Sequence, residues 1–311
     1  MSRSGQIYEL ADGRQLGFAQ FGDPAGIPVI YNHGFPASRL EARLVEAEAV
    51  TLGLQLIAVD RPGFGLSSPQ PGRTLADWPE DIAALADHLE LARFAMLGVS
   101  GGGPATLACA SRLANRLTAV TIVCGLGPVC EPELLRQMHW PARFSFGLAR
   151  GCQPLARLLF GRCIGPLLKR SPNLTLRLLT VASPPADTAV LQNASIRQCL
   201  ADSMRESFRQ GGHGPTVELA LLAAPWPFRV AGIELPIEFW HGRKDATVPF
   251  SHCEVVAKRI AAASCREFPQ DGHFSMPIRN AAAILDGLRE RHLNRVAGAT
   301  GSKADPRSVG V

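Results

Sequence analysis

The chain of 311 residues is 46% hydrophobic and 19% charged, and its 32 basic and 27 acidic residues give a formal net charge of +5. A chain of this size and apolar content can bury the core of a single α/β domain with an insertion, which argues against disorder. The small basic excess, without a Lys/Arg cluster interleaved with aromatic residues, predicts that nucleic acid is not a partner.

The first 127 residues alternate between strand and helix patterns. Asp12-Gly13 joins two alternating segments and predicts a β-hairpin. Four continuous apolar runs follow, of the kind that form strands buried on both faces, and helical periodicity separates them. These runs are IPVIYNHG, LQLIAVDRPGFG, RFAMLGV and LTAVTIVCG. Their order predicts an α/β fold with a mostly parallel sheet and helices on both faces.

The rhythm changes after Gly127, because residues 128–230 contain no buried-strand pattern. A strand pattern returns in LPIEFWHG, followed by a helix, a short strand near CREFP and a closing helix. We therefore predict that residues 1–127 and 231–295 form an α/β core, that residues 128–230 form a helical cap, and that residues 296–311 form a flexible tail.

The predicted cap carries most of the positive charge, since residues 131–230 contain twelve Arg or Lys and six Asp or Glu. Four arginines recur at intervals of seven residues: Arg136, Arg143, Arg150 and Arg157. Pro141 and Pro154 argue against one continuous helix through them. Two interpretations stay open: a solvated helix face over apolar segments, or a face that attracts anionic substrates or a membrane surface.

Ser100 directly follows the third apolar run, RFAMLGV, in the segment LGVSGGGP. Gly98, Ser100 and Gly102 match the Gly-x-Ser-x-Gly nucleophile elbow, a sharp strand-to-helix turn. Side chains two residues before and after the serine would collide with neighbouring chain, which explains glycine at both positions. The turn exposes the hydroxyl at the carboxyl edge of the sheet, beside a helix N-terminus that favours developing negative charge. An ordinary helix N-cap is the plain alternative.

A serine hydroxyl needs a base to remove its proton and a carboxylate to orient that base. His273 alone among the eight histidines lies in a glycine-containing loop between the last predicted strand and helix. Asp245, in HGRKDATVP, follows the strand that resumes the sheet and is predicted as the acid, whereas Asp271 is interpreted as a loop residue or supporting partner. The order Ser100, Asp245, His273 fits this motif. Three histidines are expected on solvated helix faces: His88, His252 and His292.

Attack on a carbonyl creates an oxyanion, and the loss of one preorganised donor costs about 2.7–4 kcal/mol of transition-state stabilisation. We predict that the backbone N–H groups of Gly101, directly after the serine, and of Phe35, in HGFP after the first apolar run, supply these donors. The plain alternative for HGFP is a turn. The sequence contains no metal-ligand pattern, so we expect no metal and no cofactor.

Five segments occur in the order and spacing of the α/β-hydrolase fold superfamily, which the chain resembles over about residues 15 to 295: YNHGFPASR, DRPGFGLS, LGVSGGGP, HGRKDATVP and DGHFS. The resemblance implies a capped serine hydrolase that acts as a carboxylesterase through an acyl-enzyme. Ser100 stands where epoxide hydrolases and haloalkane dehalogenases of this fold have aspartate, and HGFPA departs from the HGGPG loop of proline iminopeptidases. Two alternatives stay open: a C–C bond hydrolase or hydroxynitrile-lyase-type enzyme, and a non-catalytic ligand receptor.

Location and partners follow from simpler features. The N-terminal residues contain no apolar stretch of signal-peptide length, and no segment has the length and apolarity of a transmembrane helix. The eight cysteines contain no C-x-x-C pair and lie mostly in apolar runs, which predicts reduced core thiols. We therefore expect a cytoplasmic protein without a transmembrane segment, with a small-molecule ester as substrate, and the sequence leaves a homodimer open.

Overall fold

The computed structural model describes residues 3–180 and 183–301, and an eight-stranded sheet forms its centre. The strands are β1 (Arg3–Glu9), β2 (Gln15–Gly22), β3 (Ile27–Asn32), β4 (Leu54–Val59), β5 (Phe94–Val99), β6 (Leu117–Val123), β7 (Ile237–Gly242) and β8 (Ala263–Phe268). Their order across the sheet is β1-β2-β4-β3-β5-β6-β7-β8. Only β2 runs against its neighbours, and the other pairs are parallel. The hairpin and the mostly parallel α/β sheet are confirmed.

Helices connect the strands, and those between β6 and β7 form a helical insertion. Before β6 lie a 3₁₀ helix (Arg39–Val45), α1 (Glu46–Thr51), α2 (Trp78–His88) and α3 (Gly102–Arg112). The helical insertion comprises α4 (Pro132–Gln137), α5 (Trp140–Gly151), α6 (Gln153–Leu158), a π-helical segment (Leu159–Ile164), α7 (Gly165–Arg170), α8 (Pro172–Thr180), α9 (Pro185–Gln192), α10 (Ala194–Ser207) and α11 (His213–Ala223). After β7 come α12 (Ser251–Ala257), α13 (Ser275–Arg279) and α14 (Ala281–Gly301). Of the helices described, none is both long and apolar enough to cross a bilayer.

Apolar side chains pack on both faces of the sheet. Along β3, Ile30 points into a cluster with side chains of α2, α3 and α12, whereas Val29 points into a cluster with α1 and α14. In β5, Met96 and Leu97 divide in the same way. Because both faces are covered, successive residues of a strand are all apolar, which explains the continuous runs in the sequence.

Two buried ion networks join the helical insertion to the core. The Arg39 guanidinium donates to Asp60 Oδ2 at 2.6 Å and to Glu206 Oε1 of α10 at 2.8 Å. The Arg61 guanidinium donates to Glu218 Oε1 of α11 at 2.6 Å. Removing one partner of a buried ion pair typically costs about 3–5 kcal/mol, because the remaining charge is left uncompensated. These networks therefore fix α10 and α11 over the carboxyl edge of the sheet.

Three sequence-based expectations need correction. Residues 296–301, predicted as part of the tail, belong to α14, and the rest of that predicted tail lies outside the described residues. His252, expected on a solvated helix face, is fully buried and accepts the Gly127 N–H on Nδ1 at 3.1 Å. The cysteines are not mainly core thiols, since three are exposed: Cys152, Cys163 and Cys265.

Candidate active site

Ser100 lies at the turn between β5 and α3. Its backbone φ is +51°, in the left-handed region that residues other than glycine rarely adopt. A Cβ at Gly98 would overlap Thr106 Oγ1, and a Cβ at Gly102 would overlap the carbonyl oxygen of Asn32. Neighbouring atoms therefore approach both positions so closely that only glycine fits, as the nucleophile-elbow motif predicts.

His273 and Asp245 meet at the same edge of the sheet, in the loops that follow β8 and β7. The His273 ring donates from Nδ1 to Asp245 Oδ2 at 2.7 Å, because an ionised carboxylate only accepts. The other oxygen, Oδ1, accepts the backbone N–H groups of Thr247 at 2.9 Å and Val248 at 2.7 Å. The carboxylate is thus held in place, and Nε2 is left as the acceptor atom of the ring.

Ser100 and His273 line the same two cavities. No hydrogen bond joins Ser100 Oγ to the His273 ring in the described part of the chain. Hydrogen bonds of this kind are often long or poorly aligned until a substrate is bound. The structure therefore brings the three residues predicted from sequence to one place and leaves the serine–histidine bond unmade.

Pairing of the acid and the imidazole shifts the pKa of each. Burial by itself raises the pKa of Asp245, but the charge and hydrogen bond of His273, together with the nearby His241 ring, outweigh it and hold the pKa well below its ordinary 3.8. Burial by itself lowers the pKa of His273, but Asp245, with smaller contributions from Asp187 and Glu41, raises it above its ordinary 6.5. The imidazole therefore binds a proton more readily than a free one does.

Phe35 and Gly101, the predicted oxyanion donors, lie against each other. A Cβ at Gly101 would lie 2.8 Å from Phe35 Cβ and 3.4 Å from Phe35 N. Neither N–H group has a hydrogen-bond acceptor among residues 3–180 and 183–301. Two adjacent unused N–H groups beside Ser100 are the kind of donor that stabilises an oxyanion.

The loop before Phe35 is held by two charged side chains. The Arg61 guanidinium donates to the carbonyl oxygens of His33 and Gly34, the latter at 3.0 Å. Glu41 Oε2 accepts the Gly34 N–H at 2.7 Å. The position of the Phe35 N–H thus depends on two charges that the sequence reading did not single out, although Arg61 stands in the quoted segment DRPGFGLS.

Asp187, in α9 of the helical insertion, is a site residue that the sequence reading missed. It is 1% exposed, and its Oδ2 accepts the His273 N–H at 2.9 Å. Its Oδ1 accepts the N–H groups of Phe274 at 3.1 Å and Ser275 at 2.7 Å, and also the Ser275 hydroxyl at 2.7 Å. No spacing in the sequence marks this contact, because the partners lie 86 to 88 residues apart.

One group of side chains has the composition of a metal site. The ligand atoms of Cys124, His241 and Asp245 lie within 4.8 Å of one another. Burial raises the pKa of the Cys124 thiol well above its ordinary 9.0, which opposes the thiolate that a metal requires. His241 donates from Nε2 to the Val248 carbonyl oxygen at 2.7 Å, and Asp245 is fully paired. The chemistry of this set therefore fits a support for Asp245 better than a metal centre.

Two cavities flank Ser100, and they differ in size and lining. The inner cavity, of about 100 Å³, lies against the sheet; its walls include Tyr31, Glu41 and Ser203 and are otherwise almost wholly apolar. The outer cavity, of about 310 Å³, lies under the helical insertion and has apolar walls that include Phe146. Two cavities that meet at one serine can hold the two sides of a substrate.

A model of the alpha/beta hydrolase fold matches residues 27–278 of the chain. The chain belongs to the α/β-hydrolase fold family. A protein of Bacillus subtilis, the uncharacterized hydrolase YcgS, is 24% identical over 289 residues, which cover 90% of this chain and 96% of that protein.

Solved structures agree with this assignment. A hydrolase from Pseudomonas aeruginosa PA01 superposes with a TM-score of 0.68 at 20% identity, covering 94% of this chain and 98% of the other. A thermophilic esterase from Thermogutta terrifontis superposes with a TM-score of 0.64 at 22% identity, covering 93% and 99%. At such identities the likeness shows the fold alone, so the chemistry of this α/β-hydrolase has to be argued from its own residues.

Proposed function

We propose that this α/β-hydrolase is a serine hydrolase that cleaves carboxylic esters through an acyl-enzyme. The observation that supports the proposal most is the His273–Asp245 pair, joined at 2.7 Å, which shares two cavities with Ser100 at its strained turn. An oriented imidazole that faces the same cavity as a serine hydroxyl is the arrangement that makes an alcohol nucleophilic.

The proposed reaction has two halves. Ser100 Oγ attacks the ester carbonyl while His273 Nε2 takes its proton, and the Phe35 and Gly101 N–H groups bind the oxyanion. His273 then gives the proton to the departing alcohol, and Asp245 stabilises the imidazolium throughout. In the second half, water replaces the alcohol and attacks the acyl carbon while His273 takes its proton; the proton then returns to Ser100 Oγ as the carboxylic acid leaves. The reaction needs no metal and no cofactor.

The cavities indicate esters of modest size. The walls of both are mainly apolar, so each favours an aliphatic or aromatic substituent. The esterase from Thermogutta terrifontis is consistent with this substrate class at the level of fold. We therefore propose small and medium acyl esters as substrates.

The proposal is tested by fluorophosphonate labelling of the full chain, with the labelled residue located by mass spectrometry, and by turnover of p-nitrophenyl esters of increasing chain length. We expect the label on Ser100 and an ester turnover that Ser100→Ala reduces by at least about 10³-fold with the fold intact. A label elsewhere, or near-normal turnover in that variant, contradicts it. Turnover of diketones or cyanohydrins without ester turnover indicates the C–C or hydroxynitrile alternative, and labelling without turnover of any of these substrates indicates a receptor.

A further inference from the structure

Glu41 is a buried carboxyl that the proposed reaction leaves unused. The residue lies in the 3₁₀ helix after β3 and is 8% exposed. Its Oε2 accepts the Gly34 N–H at 2.7 Å and the Tyr31 hydroxyl at 3.2 Å. Its Oε1 has no hydrogen-bond partner within the described residues and is not sealed from the cavity, whose wall Glu41 shares with Ser100 and His273.

The rest of the inner cavity offers a ligand little polar contact. The Tyr31 hydroxyl already donates to Glu41, and the Ser203 hydroxyl is engaged with the backbone of Ser38. An acceptor that is removed from water and left without a partner costs about 1–3 kcal/mol, and a donor on a ligand recovers that free energy. A volume of about 100 Å³ holds only about three or four groups the size of a water molecule.

We propose that the inner cavity binds the smaller side of the ester and that Glu41 Oε1 accepts a hydrogen bond from a hydroxyl or ammonium group at the end of that side. The larger, apolar side then occupies the outer cavity of about 310 Å³. This inference rests on the proposed function and adds the substrate class: esters with one short, polar-ended group and one longer, apolar group.

Matched substrates test this binding arrangement with the full-length enzyme at pH 8. For a short acyl group, octyl 3-hydroxypropanoate and octyl 3-aminopropanoate are compared with octyl butanoate; for a short alcohol, 2-hydroxyethyl octanoate is compared with propyl octanoate. Each pair differs mainly by one donor in place of a methyl group. We expect kcat/KM to favour the donor ester about tenfold or more in at least one of the two arrangements, as for a ligand donor that satisfies a buried acceptor left without a partner.

The variant Glu41→Gln separates recognition from support of the Gly34 loop. Gln keeps the volume and one acceptor oxygen, and we expect it to reduce the preference for the donor ester about tenfold. A purely structural role lowers kcat/KM for both members of a pair equally and leaves the ratio unchanged, which overturns the inference. Equal wild-type rates within every pair, or a preference for the acceptor-only octyl 3-methoxypropanoate over octyl 3-hydroxypropanoate, also overturn it. If no ester is cleaved, the proposed function itself fails.

A second, independent observation concerns the outer surface of the helical insertion, which exposes apolar side chains. Of the nine large hydrophobic residues that are exposed among those described, six lie between residues 140 and 174: Trp140, Phe144, Leu155, Leu158, Leu167 and Leu174. Trp140 is 76% exposed. We call these six residues, with the basic side chains between them, the insertion face. Exposed apolar side chains concentrated in one part of the chain point to an interaction site.

The charge of the same stretch is of one sign. From Leu134 to Ala186 the sequence has no Asp and no Glu. It has eight basic residues there, all with exposed side chains: Arg136, Arg143, Arg150, Arg157, Arg162, Lys169, Arg170 and Arg177. Arginine and lysine beside Trp, Phe and Leu on short helices is the composition of segments that lie in the interface of an anionic bilayer.

The helices that carry the insertion face also line the outer cavity with other side chains. Helix α5 exposes Trp140 and Phe144 and buries Phe146 and Ala149, and Phe146 lines the outer cavity. Phe160, from the π-helical segment, lines it as well. An apolar molecule dissolved in a membrane would therefore lie one helix away from the cavity that opens on Ser100.

We infer that the insertion face docks on a membrane surface rich in anionic lipids. Each Lys or Arg near such a surface contributes about 1 kcal/mol, and the apolar side chains add burial in the acyl boundary. The absence of acidic residues favours a lipid headgroup over a second copy of this chain, since two copies would bring their like charges together.

Co-sedimentation with vesicles tests this inference independently of any activity. The full-length Ser100→Ala protein is mixed with vesicles of phosphatidylcholine alone or of phosphatidylcholine with an equal share of phosphatidylglycerol. We expect binding to the phosphatidylglycerol vesicles that weakens as salt rises. Two double variants, Trp140→Ser/Phe144→Ser and Arg157→Gln/Arg162→Gln, should each lower the partition coefficient about tenfold or more. The control, Val50→Ser/Leu293→Ser, removes two exposed apolar side chains elsewhere and should bind as the parent does.

Each other outcome overturns the inference. Equal binding to both kinds of vesicle would show that the basic residues do not contribute to binding. Absence of binding to either kind would show that the insertion face does not dock on a membrane. An equal loss of vesicle binding in the control Val50→Ser/Leu293→Ser would show that binding does not depend on the insertion face. Self-association in sedimentation velocity that only Trp140→Ser/Phe144→Ser abolishes assigns the face to a dimer instead. Thermal melting of every variant shows that it is folded.

Discussion

Asp187 holds the backbone of His273 from the helical insertion, with its Oδ2 accepting the His273 N–H at 2.9 Å. Its other oxygen accepts the next two backbone N–H groups of the loop, of Phe274 and Ser275. The imidazole is therefore oriented from two sides: Asp245 fixes the ring through Nδ1, and Asp187 fixes the loop that carries it. A segment inserted between β6 and β7 thus sets the geometry of a residue between β8 and α13.

Asp187→Ala should lower kcat about 10²-fold while changing KM little, because a loop displaced by about 1 Å misplaces the base. Asp187→Asn keeps one acceptor oxygen and should lower kcat less. Steady-state kinetics on a p-nitrophenyl ester measures both. Glu133→Ala, an exposed acid on α4, is the control and should leave kcat unchanged. A normal kcat in Asp187→Ala would show that the loop holds its position without this carboxylate.

The acid limb of the pH profile of kcat/KM should have its midpoint above 6.5. Because Asp245 raises the pKa of His273 above that ordinary value, His273 stays protonated, and unable to act as a base, to a higher pH. Activity is therefore full well above this pKa and is lost as the pH falls through it. Asp187→Asn should shift the midpoint downward, since the Asp187 charge contributes to the rise. A midpoint below 6.5 in the parent enzyme would contradict the assignment.

Glu218→Gln should lower the free energy of unfolding by about 3–5 kcal/mol, because Arg61 and Arg73 would keep their buried charges without their shared carboxylate. Urea unfolding followed by circular dichroism measures the change. It should also lower kcat, since Arg61 holds the loop before Phe35. Glu80→Gln removes a charge from an exposed ion pair with Arg112 and should change stability by less than about 0.5 kcal/mol.

Gly98→Ala should destabilise the protein by about 1–3 kcal/mol, because the new methyl group overlaps Thr106 Oγ1 at the elbow. Gly147→Ala is a matched contrast: a Cβ there meets nothing within 4 Å, and the residue lies inside α5. That variant should stabilise by about 0.4–1 kcal/mol through the unfolded state. Thermal unfolding of both proteins measures the difference, and equal melting temperatures would refute the packing argument at Gly98.

Much of the core could be predicted from the sequence, because each pattern that indicates it lies within a few neighbouring residues. A strand covered on both faces must be apolar at every position, and the elbow needs glycine at Gly98 and Gly102 within five residues. The boundaries of helices were less certain. Helical periodicity runs without a break through residues 37–53, but the structure divides this segment into a 3₁₀ helix and α1, and α14 continues into the predicted tail.

The supporting residues of the site could not be read in this way. Asp187, Glu41 and Arg61 act through backbone groups that are 86, 7 and 27 to 28 residues away, and no repeat or spacing accompanies such contacts. A hydrogen bond to a backbone N–H or carbonyl constrains the position of its partner and leaves the partner's side chain free. The amino-acid sequence of the loop therefore does not indicate which distant residue holds it.

By itself, the sequence determined the α/β class, the order of the elements and the residue types of the candidate triad. Hydrophobic periodicity and the steric requirement for glycine depend only on residues that are close in sequence. Only the tertiary structure decided that the helical insertion anchors the His273 loop, that Glu41 lines the inner cavity, and that apolar side chains of the insertion are left exposed. Those relationships depend on how separate helices pack over the sheet edge, and packing is a property of the whole chain that no single segment encodes.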